Sequence, residues 1–212
     1  LVLDFISEVL SLYEEEKLVD VTYSEDFQSR LHDLTTKDMI FSRVRDLISQ
    51  LVEPSSNFIK SSPNPSSIER LGRILEIMLL HEDPKPIDEE LSTTQKTVSK
   101  AGGPSIVWDA QMQAINSTRG RAFMSYMNFL THLNKSCFQN VYPAERWQLT
   151  LKNFIHNENT RALHFMFGQY TATLFNLDRT WLLDQTKDIW SESYPYTLRL
   201  QVWMGYLRQS PW

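Results

Sequence analysis

The 212-residue sequence has little cysteine, little glycine and no long hydrophobic run. Its single cysteine, Cys137, cannot form a disulfide bond within the chain, which suits a reducing compartment, and we expect a cytoplasmic protein. Because only six glycines are present, a series of tight β-hairpins is not expected. The sequence has no run of 18 apolar residues and no signal-peptide pattern, so it predicts no membrane span.

The sequence also lacks the short motifs of common catalytic sites. It contains no GxxxxGK[ST] phosphate-binding loop, no GxGxxG or GxSxG motif and no HExxH zinc motif. The five histidines are scattered without a metal-ligand spacing: His32, His81, His132, His156 and His164. Cys137 follows His132 by five residues, which is weak evidence for a Cys–His nucleophile because such pairs meet in space. Glu89 and Glu90 are interpreted as solvated surface. We therefore expect no enzyme activity, metal site or cofactor in this chain.

The charge is distributed unevenly along the chain. Residues 1–100 contain 11 Lys and Arg against 19 Asp and Glu, a net charge of −8, whereas residues 101–212 contain 10 against 7, a net charge of +3. Phosphate contacts need clustered basic residues, so a nucleic-acid partner is not expected. The chain begins with Leu1 and ends at Trp212, directly after an apolar helical pattern, and we expect it to be part of a larger protein.

Apolar residues recur at helical spacing along most of the sequence. The pattern predicts about nine helices, which include one over 66–79, a long one over 108–133 and one over 159–174. Ser66 and Glu69 have the form of a capping box, and Asn159 and Asp178 are predicted N-caps. We predict an all-α fold of helical hairpins stacked as a HEAT- or TPR-like α-solenoid, with a compact helical bundle as the alternative.

The polar stretch 82–105, which includes Gly102, Gly103 and Pro104, is predicted to be a loop or flexible linker. It divides an N-terminal helical segment (1–81) from a C-terminal helical-repeat segment (106–212). The C-terminal segment is rich in aromatic residues. At helical spacing these usually form a core, but tryptophan, tyrosine and arginine also dominate protein interfaces. Five residues are predicted to bind a partner protein: Arg146, Arg161, Tyr194, Tyr196 and Arg199. Of these, Tyr194 and Tyr196 are expected in an accessible loop.

Four motifs of the C-terminal segment resemble those of a known group of proteins. Residues 114–122 read AINSTRGRA, residues 167–170 read FGQY, residues 177–181 read LDRTW and residues 202–207 read VWMGYL. Their order is similar to that in the C-terminal helical-repeat region of bacterial anti-phage Avs (AVAST) STAND NTPases. A similar helical region follows the sirtuin domain of some defence proteins. The resemblance covers about residues 105–212.

The resemblance implies the sensor region of an antiviral protein, which binds a phage protein such as a terminase or portal protein. It also implies contacts with NTPase and effector domains outside this chain and homo-oligomerisation of the parent protein. The alternatives are a regulatory region of a sirtuin-type NAD-consuming enzyme and a general protein-interaction scaffold. The motif residues are expected to be mainly structural: Asn116, Arg119, Gly120, Gly168, Gln169, Tyr170, Asp178 and Trp181. Arg119 is expected to pair with Asp109 or Asp178 across helices, and Gly120 to allow close approach of a neighbouring helix.

Overall fold

A computed structural model of the chain describes residues 46–48, 64–81, 83–86, 106–136 and 140–209. Within these ranges 81% of the residues are helical and none lies in a strand, so the all-α prediction is confirmed for them. Their helices are α1 (Pro65–Leu79), α2 (Ile106–Asn116), α3 (Thr118–Asn134), α4 (Ala144–Asn157), α5 (Arg161–Gln169), α6 (Thr171–Leu177), α7 (Arg179–Ile189) and α8 (Tyr196–Gln209). The helices predicted before residue 46 lie outside the described residues.

Helix α1 begins at Pro65 because Asn64 caps it. The Asn64 side chain accepts a hydrogen bond from the Ser67 amide at 2.8 Å. Pro65 suits the first helical position, where no N–H is needed. The predicted capping box of Ser66 and Glu69 is therefore wrong, since asparagine caps a helix as well as serine does and occurs earlier here. The buried face of α1, which includes Ile68, Leu71, Leu75 and Met78, belongs to the core, and α1 packs on α3.

The predicted long helix over 108–133 is wrong, because it is divided at Ser117 into α2 and α3. Ser117 has extended backbone angles, and its hydroxyl accepts from the Gly120 amide at 3.1 Å and donates to the Ala114 carbonyl at 3.0 Å. A Cβ atom on Gly120 would overlap the Ala114 carbonyl. Gly120 thus allows α3 to begin against the last turn of α2, which confirms the expected close approach.

The predicted helix over 159–174 is also wrong, because the chain turns at Tyr170 between α5 and α6. The residues from Ala162 to Gly168 in α5 are all buried, which is typical of a helix surrounded by others. Helix α5 packs against α2, α3 and α8 and occupies the centre of the described helices.

Helices α5 and α8 approach each other closely at two glycines. A Cβ atom on Gly168 would overlap the backbone of Val202 in α8, and a Cβ atom on Gly205 would overlap the Phe165 carbonyl and lie 2.8 Å from the amide nitrogen of Gln169. Each helix therefore has a glycine at the point where the backbone of the other helix lies closest to it. This crossing fixes α8 against the central helix and determines which face of α8 points outward.

Part of the predicted linker is attached to the start of α3. The Asp83 side chain accepts a hydrogen bond from the Thr118 amide, and its carbonyl accepts from the Arg119 amide at 3.0 Å. For residues 83–86 these contacts favour the loop over the flexible linker, since the first amides of α3 need partners and Asp83 supplies them. The rest of 82–105 lies outside the described residues. The division into segments 1–81 and 106–212 stays a prediction, although α1 and α3 share one core.

Candidate protein-binding surface

Arg119 joins three parts of the chain through its guanidinium group. One terminal nitrogen lies 3.0 Å from an oxygen of Glu158, and the other donates to the Pro84 carbonyl. The Glu158 side chain is 2% exposed, and its other oxygen accepts from the amides of Asn159 and Thr160 at 2.9 and 2.7 Å. Glu158, rather than the predicted cap Asn159, therefore satisfies these amides just before α5, and Thr160 is the N-cap residue.

Asp178 is not the partner of Arg119, because it caps α7. One of its carboxylate oxygens accepts from the Trp181 amide at 2.9 Å, and the other accepts from the Gln148 side chain at 2.8 Å. The Trp181 ring packs edge-on against Trp147, with the ring centroids 5.2 Å apart. The predicted cap at Asp178 is confirmed. The side chain of Asp109, the other expected partner, lies outside the described side chains.

The remaining motif residues lie at helix ends and crossings. Asn116 is the last residue of α2, directly before the capping serine. Gly168 and Gln169 lie at the α5–α8 crossing. The Tyr170 ring packs edge-on against Phe123 at 5.9 Å between centroids, and burial raises the pKa of its hydroxyl. The motif residues therefore contribute to helix ends and helix packing, and they do not lie together in one exposed cluster of side chains.

Arg146, predicted to bind a partner, is engaged inside the chain. Its Nε and a terminal nitrogen donate to the two oxygens of Glu76 at 2.9 and 2.7 Å. The guanidinium lies 4.8 Å from the ring centroid of Tyr142, whose hydroxyl also donates to Glu76 and lies 2.7 Å from the Tyr126 hydroxyl. This network joins α1, α3 and α4, so Arg146 is a structural residue and charge reversal there would disturb the fold.

Tyr194 lies in the loop before α8, as predicted, but its side chain is half-buried and bonded within the chain. Tyr196, which was expected in the same loop, is instead the first residue of α8. The Tyr194 hydroxyl lies 2.5 Å from Nε2 of His164, whose Nδ1 lies 2.8 Å from the Thr160 carbonyl. Burial, with a smaller contribution from the charge of Glu158, raises the pKa of Tyr194 to about 12. Arg161 is the half-buried first residue of α5. The contact with His164 of α5 thus holds the Tyr194 side chain in a half-buried position.

The other two predicted residues, Tyr196 and Arg199, belong to a group of side chains that we call the aromatic surface. It consists of Trp190, Tyr196, Arg199, Trp203 and Tyr206. Tyr196 is exposed, whereas Arg199 is half-buried and donates a hydrogen bond to the Ser191 carbonyl at 2.9 Å. The four aromatic side chains are exposed by 45%, 68%, 46% and 39%, in chain order. Trp203 packs edge-on against Trp190 at 6.1 Å and stacks on Tyr206 at 5.7 Å between ring centroids. The Arg199 guanidinium lies 5.8 Å from the Tyr196 ring centroid.

Helical geometry explains why these side chains share a face. At about 100° per residue, Tyr196, Arg199, Trp203 and Tyr206 fall within roughly 80° of one another on α8. The buried residues Gln201 and Gly205 lie on the opposite side, and the buried Val202 lies between the two sides. Helical spacing predicted a core position for most aromatic residues, so Trp190, Trp203 and Tyr206 were missed as surface residues. The spacing of Trp203 and Tyr206 after Tyr196 is a usable signal once the buried side of α8 is known.

No group of three or more His, Cys, Asp or Glu side chains in the described ranges is arranged to hold a metal, and none of the helices described is long and apolar enough to cross a membrane. His81 and His164 are buried, whereas His156 lies 3.8 Å from Asp188. His32 and Cys137 lie outside the part of the chain that the structure describes. The candidate site among the described residues is the aromatic surface, which contains one arginine.

Comparisons with protein-family models, with curated proteins and with solved structures give no match to this chain.

Proposed function

We propose that this chain is a protein-recognition region and that it binds a folded partner protein through the aromatic surface. The observation that carries the proposal is the exposed cluster of Trp190, Trp203 and Tyr206, in which Trp203 packs edge-on against Trp190 and stacks on Tyr206, beside Tyr196 and Arg199. Tryptophan, tyrosine and arginine are the residues most enriched among those that dominate binding energy at protein interfaces. A stack of this kind is preorganised, so its side chains lose little rotational freedom on binding.

The packing of the described helices bears on the shape of the recognition face. In a solenoid each repeat contacts only its neighbours along the chain. Helix α5 instead packs on α2 and α8, which are separated from it by other helices, and it is buried on all sides. These contacts favour the predicted alternative, a compact bundle, for residues 106–209. The proposed recognition face is then the outer side of α8 and not a concave solenoid channel.

The viral nature of the partner comes from the resemblance alone. The similarity to the C-terminal region of Avs STAND NTPases suggests that the partner is a phage terminase or portal protein. Binding would be relayed to NTPase and effector domains outside this chain, with homo-oligomerisation of the parent protein. A regulatory role in a sirtuin-type defence enzyme and a general scaffold are the competing functions. The aromatic surface is compatible with each of these functions, so the identity of the bound partner distinguishes between them.

The test uses the parent protein and purified phage terminase and portal proteins in a direct binding measurement. Replacing an aromatic residue that anchors an interface typically costs 2 kcal/mol or more, which corresponds to about a 30-fold loss of affinity. We therefore expect Trp203→Ala and Tyr196→Ala each to weaken binding by about 30-fold and to reduce defence against the phage.

Thr197→Ala is the matched control, because Thr197 is exposed on α8 but points roughly 140° away from the centre of the aromatic surface. Thermal melts followed by circular dichroism verify that each variant is folded. If folded Trp203 and Tyr196 variants bind and defend as the unaltered protein does, the aromatic surface is not the recognition face.

A further inference from the structure

A cleft of about 320 Å³ lies between the end of α1, the start of α3 and one side of α4. Its lining includes the acidic residues Glu76 and Glu158, the asparagines Asn153 and Asn157, and the apolar residues Leu80 and Phe154. This volume is at the lower end of the range of small-ligand pockets. The cleft shares no residue with the aromatic surface, so what it binds is independent of the function proposed above.

The charged groups of the cleft neutralise one another. The two oxygens of Glu76 accept from Nε and one terminal nitrogen of Arg146, and an oxygen of Glu158 lies 3.0 Å from a terminal nitrogen of Arg119. Two carboxylates are thus matched by two guanidinium groups. A bound anion or cation would have to compete with these pairs, which are partly or fully removed from water. The cleft is therefore suited to a ligand without charge.

Two asparagines supply the accessible polar groups. Asn153 and Asn157 are exposed on α4, line the cleft and form no side-chain hydrogen bond among the described residues. Each carboxamide has one acceptor oxygen and two N–H donors. A peptide group, with one N–H and one C=O, complements such a carboxamide on both counts. Next to them the cleft presents an apolar patch that includes Phe154 and Leu80, and Leu80 is 84% exposed.

The spacing of the asparagines fits a polypeptide backbone. Residues four apart on a helix are separated by a rise of about 6 Å. Alternate residues of an extended chain, whose peptide groups point the same way, are about 6.6 Å apart. We propose that this cleft binds an uncharged, extended peptide segment, with two backbone peptide groups on Asn153 and Asn157 and an apolar side chain against Leu79, Leu80 and Phe154.

The test uses a defined set of acetylated and amidated heptapeptides in an alanine–serine background, with leucine, methionine or phenylalanine at the centre. Binding to the chain is measured by fluorescence polarisation. We expect saturable binding of at least one peptide and about a tenfold loss for each of Asn153→Ala and Asn157→Ala, because each removes two hydrogen bonds. Methylation of the backbone nitrogens that face α4 should cause a similar loss, since it removes the donors.

Lys152→Ala is the matched control, because Lys152 is exposed on α4 but does not line the cleft. Substitutions at such exposed sites usually change stability by less than about 0.5 kcal/mol, so all three variants should fold. Trp203→Ala should leave peptide binding unchanged, which separates this site from the aromatic surface. The proposal is overturned if no heptapeptide saturates, if both asparagine variants bind normally, or if acetyl-leucine amide binds as tightly as the heptapeptide.

Discussion

Replacing Gly205 by alanine should destabilise the chain, although alanine is the better helix former. Gly205 lies on the buried side of α8, where its Cα faces the Phe165 carbonyl and the Gln169 amide of α5. The added methyl group cannot be accommodated by a side-chain rotation, because the atoms that it meets belong to the backbone. Helix α8 would have to move away from α5 and loosen the packing of Val202.

The two opposing contributions can be compared. Alanine gains about 1 kcal/mol over glycine within a helix. Overpacking of a core typically costs 1–3 kcal/mol, and a clash between two backbones belongs at the upper end, about 3 kcal/mol. The net loss is then about 2 kcal/mol. For a chain of about 200 residues this corresponds to a decrease in Tm of roughly 4–8 °C.

Thermal unfolding followed by circular dichroism measures this shift. Gly168→Ala should behave in the same way, and the double variant should lose less than the sum, because one displacement of α8 relieves both clashes. Thr197→Ala, on an exposed side of α8, should keep or slightly raise Tm. A Tm that rises in Gly205→Ala would refute the close approach of the two helices.

Two other changes test contacts that the sequence did not predict. Arg146→Ala should lower the free energy of unfolding, measured in urea, by about 2 kcal/mol, because it leaves the largely buried Glu76 without its bidentate partner. Arg146→Lys should recover only part of the lost stability. Unchanged stability of Arg146→Ala would show that the pair contributes nothing. Burial lowers the pKa of His164 from its ordinary value of 6.5, so below about pH 6.5 the unfolded chain binds a proton that the folded chain does not, and stability falls as the pH decreases. His164→Gln should flatten this dependence between pH 7.5 and 5.5, and an equally steep profile in that variant would assign the titration to another group.

The helical pattern was predictable wherever apolar spacing and a local cap agreed. Asp178 begins α7 as predicted, because its carboxylate needs only the amide of Trp181, three residues along the chain. The errors at Ser117 and Tyr170 have the opposite cause. Apolar periodicity continues through both positions, and a short break between two helices leaves the pattern almost unchanged. The break at Ser117 depends on its bond to the Gly120 amide, a local signal that the periodicity obscured.

Tertiary contacts, which no local sequence pattern predicts, decide which of the predicted partner-binding residues are exposed. Arg146 meets Glu76, which lies 70 residues earlier in the chain, and Tyr194 meets His164, 30 residues earlier. Arginine and tyrosine are common at protein interfaces, but here both side chains form hydrogen bonds within the chain. Tyr196 stays on the surface, because the α5–α8 crossing directs another side of α8 inward, whereas Arg199 is half-buried and bonded to the Ser191 carbonyl.

The helical class, the cap at Asp178 and the close approach at Gly120 were predictable, because these features depend on residue periodicity and on contacts within a few positions along the chain. Contacts between helices that are distant in the sequence were needed to show that α5 is the central helix, that Glu158 is the partner of Arg119, and that the aromatic side chains of α8 lie on its exposed side. The physical reason is that apolar and aromatic side chains stabilise a core and an interface equally well. Which of the two they form is determined by the helices that pack on them, and those helices are distant in the sequence.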